Sequence, residues 1–209
     1  MEDVLDVYHR PHDPKFPVVG LDEKPVQLVA DVREPLPPAP GVVRRQDHEY
    51  QRNGTANVFV AFEPLGNWRR LTVTDRRTPV DWAHFVRDLV DAPRYRDARR
   101  IVLVQDPLNT HTPASLYKAF EPAEAKRIAD KLEIHYTPKH GSWLNVAEVE
   151  LSVLGKRLKE RVGDKRQLAG ACAAFERERN RTGAGVNWRF TTDDARIKLK
   201  RLYPTMELW

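Results

Sequence analysis

The chain has 209 residues, of which 41% are hydrophobic and 31% are charged, a balance that is typical of one folded domain with a sizeable core. No apolar run approaches the roughly 20 residues that a membrane-spanning helix needs, and the acidic N-terminus lacks the apolar stretch of a secretory signal. A lone cysteine, Cys172, excludes an intramolecular disulfide and a cysteine-rich zinc site. We therefore expect residues 1–209 to form a single domain in the cytoplasm, with no membrane partner.

Charge is unevenly placed along the chain. From residue 156 to residue 201, fourteen Lys and Arg outnumber six Asp and Glu, which gives this segment +8 and leaves −3 for the rest of a chain whose total is +5. A basic C-terminal part, residues 156–209, suits a partner with a phosphate backbone. A run of charge taken alone is more often a solvated helical surface, and that interpretation stays open.

The first half of the chain is predicted to be an antiparallel meander. Residues 1–16 are polar, contain two prolines and read as an irregular lead-in. Residues 34–41 hold four prolines and are predicted to be a loop, because proline cannot pair in the centre of a sheet. Asp22 begins one predicted turn, and residues 52–55 form another. The strands predicted around these breaks are residues 17–21, 25–30, 57–62 and 68–74.

The second half is predicted to alternate helix and strand. Thr78 and Thr112 each precede a proline, which is a signal for a capped helix start. A buried strand at residues 101–105 is predicted to deliver Asp106 to its carboxyl end. Ser142 is predicted to cap a helix that runs to about residue 161. The remaining predictions are a strand at residues 132–136 and helices at residues 122–131, 165–181 and 193–202, the last of them capped near Thr191 or Thr192.

Acidic residues lie at the predicted ends of two strands and on the helix that Ser142 begins. Open sheets bind ligands beyond the ends of their strands, so we expect Asp22 and Asp106 to converge. The helix that Ser142 begins carries Glu148 and Glu150 on opposite flanks of its apolar stripe. Periodicity cannot choose between these glutamates, but Glu148 lies closer to the end of the sheet where the aspartates are expected. Converging carboxylates indicate divalent-metal or acid–base chemistry.

The order of these elements predicts a fold. An antiparallel meander followed by alternating helix and strand, with acidic residues on two strands and a late helix, is the ribonuclease H-like arrangement, which is also retroviral-integrase-like. It is an α/β fold with a mixed sheet flanked by helices. This analogy is at the level of the fold and does not by itself predict chemistry.

Three segments make the resemblance specific: residues 21–24 (LDEK), 106–111 (DPLNTH) and 136–148 (YTPKHGSWLNVAE). They resemble the three signatures of DDE transposases, most closely those of the bacterial insertion-sequence branch of the mariner superfamily. The resemblance implies an enzyme that cleaves DNA and transfers strands, a metal-dependent polynucleotidyl transferase. It implies that Asp22, Asp106 and Glu148 hold two Mg²⁺ ions, with Mn²⁺ as a substitute.

The same resemblance implies partners and further site residues. The partners are double-stranded DNA, as element ends and as target, and a second copy of the chain in a homodimer on that DNA. The protein would then be associated with the nucleoid. Glu23 is a rival to Asp22 as a ligand, and Glu150 is a rival to Glu148. Candidate DNA contacts are Asn109, His111, Lys139, His140, Ser142 and Trp143, although Asn109 and His111 could instead orient their loop and Trp143 could belong to the core.

The chain departs from the family pattern in two places. Pro107 stands where the family usually has asparagine, which removes an amide donor beside the metal and restricts the backbone of Asp106. Only 21 residues precede Asp22, so we expect no N-terminal helix-turn-helix domain of the kind that reads an element's terminal repeats. Both departures favour an alternative, a non-catalytic transposase remnant that binds DNA. A third interpretation is a hydrolytic nuclease of the same fold.

Overall fold

The computed structural model of the chain describes residues 1–41, 43, 45, 47–139, 141–158 and 161–203. Its strands are β1 (Val18–Asp31), β2 (Tyr50–Glu63), β3 (Trp68–Thr74), β4 (Ile101–Gln105) and β5 (Leu132–Tyr136). Its helices are α1 (Glu2–Tyr8), α2 (Pro79–Val90), α3 (Pro113–Ala119), α4 (Pro122–Asp130), α5 (Ala147–Arg157), α6 (Lys165–Thr182) and α7 (Thr192–Lys198). Short 3₁₀ turns lie at Pro93–Tyr95, Ser142–Leu144 and Lys200–Leu202.

The five strands form one mixed sheet in the order β3-β2-β1-β4-β5. β1, β2 and β3 pair antiparallel, as the predicted meander requires, whereas β1 with β4 and β4 with β5 are parallel. The pairing of β1 with β4 ends where Leu21 lies opposite Gln105. Asp22 and Asp106, the next residues on each strand path, therefore lie side by side where the two strands separate.

Alternation along the strands divides the core between the two faces of the sheet. On one face, Leu21, Phe59 and Leu103 pack with Trp82 and other residues of the layer that α2, α3 and α4 form. The opposite face packs against α1, α5, α6 and α7. This is the ribonuclease H-like architecture that the sequence predicts. None of the described helices is long and apolar enough to cross a membrane.

Several helix predictions are confirmed at their ends. Thr78 caps α2 in a reciprocal arrangement with Asp81, and Pro79 is the first helical residue. Thr191 caps α7 in the same way with Asp194. The basic C-terminal part is helical in α6 and α7, while residues 159, 160 and 204–209 lie outside the described residues.

The predicted irregular lead-in and the two early turns are wrong. Within residues 1–16, α1 forms because its buried residues, Val4, Leu5, Val7 and Tyr8, pack into the core beneath the sheet. The turn predicted at Asp22 is absent, since β1 continues through it. Pro25 is tolerated inside β1 because β4 pairs with β1 only as far as Leu21, so one edge of β1 is released from β4 beyond that point. Residues 52–55, predicted as a turn, lie inside β2.

The predicted start of the late helix is also wrong. Ser142 begins a 3₁₀ turn instead of capping a helix, and α5 starts at Ala147. The reason is local, because the side-chain oxygen of Asn145 accepts a hydrogen bond from the amide of Ala147 at 3.2 Å. The helix ends at Arg157, short of the predicted residue 161.

Candidate active site

An open cleft of about 460 Å³ lies where β1 and β4 separate. Asp22 reaches it from β1, Asp106 from the end of β4 and Glu148 from the first turn of α5. The structure thus brings together the three carboxylates that the sequence singles out, from three different elements. The other lining residues are Glu23, Lys24, Ser142, Leu151 and Ser152.

Hydrogen bonds fix the two aspartates. The backbone amide of Glu23 donates to Oδ1 of Asp22 at 2.8 Å, and the hydroxyl of Thr137 donates to Oδ1 of Asp106 at 2.7 Å. The carbonyl of Asp106 accepts from the amide of Leu108 at 2.8 Å, which closes the turn after β4. Each carboxylate therefore keeps one oxygen that makes no hydrogen bond to the described residues.

The two glutamates of α5 have different surroundings. Glu148 is partly exposed and faces the cleft. Glu150 is 1% exposed, and its carboxylate lies 2.6 Å from a guanidinium nitrogen of Arg179 and 3.3 Å from Nε of Arg69. Of these two glutamates, Glu148 is the one that faces the aspartates, and its role as a metal ligand stays a prediction.

Like charges dominate the cleft. Burial raises the pKa of Asp22 to about 7, an effect that the amide of Glu23 opposes and that the negative charges of Asp106, Glu23 and Glu148 reinforce. None of the three converging carboxylates forms an ion pair with a described residue, although the exposed Lys24 lines the same cleft. A set of unpaired oxygen donors with mutual repulsion is the donor chemistry that hard divalent cations prefer.

The carboxylates are not drawn together into a preformed cage. Among the described residues, no group of three or more His, Cys, Asp or Glu side chains is placed to hold one metal ion. The cleft therefore offers the ligand types and the charge for divalent cations, with the three carboxylates on separate walls of one open space.

Glu23, the rival to Asp22, belongs to a different contact. Successive residues of a strand point to opposite faces, so Glu23 lies on the α2 and α3 side of the sheet. There its carboxylate is 3.0 Å from Nε2 of His111, and both side chains are almost fully buried. Nδ1 of His111 lies 3.2 Å from the carbonyl of Asp106, and the His111 ring stacks on Trp82. These contacts bury His111 and favour a role in orienting its loop, while its contact with DNA stays a prediction.

Of the other candidate DNA contacts, those that the structure describes are exposed at the surface. Asn109 and Lys139 are exposed, and Ser142 lines the cleft itself. Trp143 is 43% exposed and meets the ring of Phe190 edge to face, so it is not a core residue. His140 lies outside the described residues. Their contact with DNA stays a prediction.

Sequence reasoning missed Thr137, Lys24 and Ser152. Thr137 had a readable signal, because it follows β5 as Asp106 follows β4, and Gln105 pairs with Tyr136 across these parallel strands. Lys24 lies two residues beyond Asp22 on the same face of β1, a spacing that alternation predicts once the strand is known to continue. Ser152 gave no signal of its own.

Much of the basic charge of the C-terminal part is engaged in ion pairs within the chain. Among the described residues of this part, six Lys and Arg form ion pairs, and these pairs are Arg157–Glu178, Arg161–Asp31, Lys165–Asp75, Arg179–Glu150, Arg196–Glu2 and Lys198–Asp194. Others remain exposed at the surface, among them Arg166, Arg177, Arg181, Arg189 and Arg201. Fewer basic side chains are therefore unpaired at the surface than the number of Lys and Arg in the C-terminal part suggests.

Comparison with solved structures shows which proteins share this fold. The structure of the Mos1 mariner paired-end complex with Mn aligns with a TM-score of 0.53 and 19% identity over 88% of this chain and 55% of that one. The Mos1 transposase paired-end complex with left transposon end gives 0.53 and 16% over 88% and 56%, and a pre-cleavage Mos1 transpososome gives 0.53 and 17% over 90% and 61%. The chain thus spans little more than half the length of these proteins, and the likeness is one of fold.

Sequence comparison gives the family. No curated protein matches the chain in sequence. Residues 17–169, however, match the family described as DDE superfamily endonuclease. The matched segment is most of the chain and contains Asp22, Asp106 and Glu148, the three carboxylates of the cleft. The chain belongs to the DDE superfamily of endonucleases.

Proposed function

We propose that the chain is the catalytic domain of a DNA transposase, which cleaves DNA and joins the cut end to a target by in-line displacement at phosphorus. The observation that carries the proposal is the convergence of Asp22, Asp106 and Glu148 on one cleft in a member of the DDE endonucleases. The likeness of fold to Mos1 transposase supports it, as does the resemblance of the signatures to the bacterial insertion-sequence branch.

Asp22, Asp106 and Glu148 would hold two Mg²⁺ ions, for which Mn²⁺ can substitute. The donor set fits, because the carboxylates repel one another and lack cationic partners among the described residues. Such ions activate a hydroxyl nucleophile and stabilise the leaving oxygen of a phosphodiester. Thr137 and the amide of Glu23 hold the two aspartates by one oxygen each, which leaves the other free for a ligand.

Pro107 is accommodated in this proposal. It is exposed, and the turn after β4 is closed by the amide of Leu108, so the amide that Pro107 lacks is not needed to hold Asp106. This arrangement favours an intact site over the non-catalytic remnant. The remnant and the purely hydrolytic nuclease are then outcomes that experiment can separate.

Double-stranded DNA is the proposed partner, as element ends and as target, with the chain acting as a homodimer associated with the nucleoid. The exposed arginines of α6 and the segment after it, such as Arg166, Arg177 and Arg189, would contact phosphates. Affinity for DNA should then fall steeply between about 50 and 200 mM salt, because each phosphate contact releases counterions. Affinity that is unchanged over this range would remove the basic surface from the proposal.

The direct test is Asp106→Asn, which removes a metal ligand at nearly constant volume and keeps an oxygen for Thr137. We expect cleavage of DNA in Mg²⁺ or Mn²⁺ to fall by more than the roughly 10- to 100-fold that loss of an outer-shell partner of a metal costs. Asp130→Asn, at an exposed position on α4, is the matched control. Undiminished cleavage by Asp106→Asn would place the active site elsewhere.

Two readouts separate the three functions. Binding of Mn²⁺, measured by electron paramagnetic resonance, distinguishes both enzymes from a remnant that has lost metal binding. Joining of a labelled 3′ end to target DNA distinguishes the transposase from a hydrolytic nuclease, which would only cut.

A further inference from the structure

We propose that Asn145 and Tyr8 are positioning residues that seat the N-terminus of α5 on β1 and so fix Glu148 relative to Asp22. The inference rests on the proposed function, because Glu148 matters only if the cleft binds the metal ions of a DNA-cleaving site. Neither residue lines the cleft, so each would act through the element that carries Glu148.

Asn145 ties together the two residues that precede the proposed ligands. Its side-chain amide donates to the carbonyl of Leu21 at 2.9 Å, and its side-chain oxygen accepts from the amide of Ala147 at 3.2 Å. Its own carbonyl accepts from the amide of Glu148 at 3.0 Å. Asn145 is 1% exposed, so a lost bond could not be replaced readily by bulk water. One buried side chain thus links the backbone at Asp22 to the backbone at Glu148.

Tyr8 holds the same loop from the N-terminal helix. Its hydroxyl accepts a hydrogen bond from the amide of Val146 at 3.0 Å, and Val146 occupies the N-cap position of α5. The first amides of a helix have no partner within the helix, so Tyr8 supplies one that the fold would otherwise lack. The Tyr8 ring packs on Trp188, with ring centroids 5.0 Å apart, which fixes the hydroxyl in place. α1 thereby becomes part of the structure that supports the cleft.

Gly20 shows how closely the loop lies on β1. A Cβ atom added at Gly20 would stand 2.6 Å from a side-chain carbon of Val146 and 3.1 Å from the amide nitrogen of Ala147. The start of α5 therefore rests on the strand just before Asp22, with no space between them. Because a displacement of about 1 Å at a reacting centre can cost a factor of 100 in rate, this seat bears directly on the site.

The experiment compares two buried tyrosine hydroxyls. Tyr8→Phe removes the bond to Val146 and keeps the ring on Trp188. Tyr95→Phe is the matched control, because the Tyr95 hydroxyl is also buried and donates to Glu63 at 2.9 Å, but on the opposite face of the sheet. Two measurements on the purified chain are compared with wild type, Mn²⁺ affinity by electron paramagnetic resonance and hydrogen exchange of the amides of residues 146–148 without metal.

We expect Tyr8→Phe to weaken Mn²⁺ binding by about 10-fold, the lower end of the effect of losing an outer-shell partner, and to speed exchange at residues 146–148. Tyr95→Phe should lower thermal stability to a similar extent and leave both readouts at the wild-type level. Equal responses of the two variants would reduce Tyr8 to an ordinary stabilising residue and overturn the inference.

Asn145→Ser provides a second, graded test. Serine can still accept from the amide of Ala147 but is too short to reach the carbonyl of Leu21, so Mn²⁺ affinity should fall even where the helix start is kept. Asn57→Ser is its control, since Asn57 is buried and donates to the carbonyl of Asp75 in another part of the sheet.

Failure of the inference and failure of the proposed function look different. If wild-type protein binds no Mn²⁺, the proposed function fails, and hydrogen exchange alone decides whether Tyr8 and Asn145 seat α5. If wild type binds Mn²⁺ and both variants bind it equally well with unchanged exchange, the positioning role is wrong while the proposed function stands.

Discussion

Two glutamates on the same helix, α5, differ in whether ion pairs within the fold compensate their charge. Glu150 lies buried between Arg69 and Arg179, at hydrogen-bond or ion-pair distance from both. Glu148 lies two residues earlier and faces the cleft, which Asp22 and Asp106 also line. A buried carboxylate that is matched by guanidinium groups has its charge compensated within the fold, whereas none of the three cleft carboxylates forms an ion pair with a described residue.

Helix α6, which carries Arg179, also covers the edge of the sheet at β3. Around Arg69, polar side chains of α6 bond to the backbone of the edge strand β3, where Asn180 accepts from the amide of Arg69 at 2.8 Å and Glu176 accepts from the amide of Leu71 at 2.7 Å. An edge strand left open is a site for unwanted pairing, and α6 covers this one. The side chains of Asn180 and Glu176 are therefore engaged in hydrogen bonds that stabilise the fold.

The largest effect we expect is on stability, from Glu150→Ala. Removing Glu150 leaves the guanidinium of Arg69 buried without its counterion, which should cost about 3–5 kcal/mol of unfolding free energy, measured by urea denaturation. Glu148→Ala, the same change two residues away, should cost less than about 1 kcal/mol because that side chain is partly hydrated. Cleavage should respond in the opposite order, with Glu148→Ala inactive.

A similar stability loss for both variants would remove the distinction between the two glutamates. A further check is the pair Arg69→Met with Glu150→Leu, which replaces the two fully buried charges by apolar groups of similar size and leaves Arg179, the partly exposed third member, in contact with water. Since apolar replacements of a buried ion pair are often neutral or better, the double variant should regain much of what Glu150→Ala loses.

The next effect has the opposite sign, because Asp22→Asn should stabilise the metal-free protein at pH 8. Burial and neighbouring carboxylates raise the pKa of Asp22 from an ordinary value of 3.8 to about 7. The folded protein therefore holds this proton more tightly than the unfolded chain, so stability falls as the pH rises from about 4 to about 7. Asparagine removes the charge that causes the loss.

In a dry site each tenfold change in proton affinity would be worth roughly 1.4 kcal/mol, and the pKa of Asp22 changes by about three such steps. Because Asp22 keeps partial contact with water, we expect a total gain of only about 1–2 kcal/mol. Urea denaturation in a chelator at pH 8 and pH 4 measures it, and the two proteins should converge at pH 4. Saturating Mn²⁺ should reverse the order at pH 8. A variant less stable than wild type in the chelator at pH 8 would contradict the charge repulsion that defines the cleft.

The sequence predicts this contrast only in part, and the reason is distance along the chain. Asp106 is predictable because a buried strand and its end are local features, and the same holds for the helices that begin at Thr78 and Thr191. The partners of Glu150 lie on β3 and α6, far from it in sequence, so no local pattern distinguishes it from Glu148. Tertiary contacts make that choice.

The dependence on tertiary contacts also explains why the sequence does not predict helix α1. A helix of seven residues is marginal alone, and α1 exists because its buried face joins the core and its Tyr8 meets Val146. The sequence predicts that Asp22 lies at a strand end, whereas β1 continues through it to Asp31. It still meets Asp106 because β4 is the strand that stops, a fact about pairing that the sequence of β1 does not contain.

The smallest effect we expect is at a third carboxylate, Glu178, which meets Arg157 between α6 and α5. Arg157 donates to it twice, in the geometry of a strong pair, but both side chains are nearly half exposed. Exposed pairs lose most of their Coulomb energy to water and salt, so Glu178→Ala should leave the midpoint of urea unfolding almost unchanged, and no difference should remain in high salt. A loss comparable to that of Glu150→Ala would mean that burial is not what separates carboxylates that stabilise this fold from those that do not.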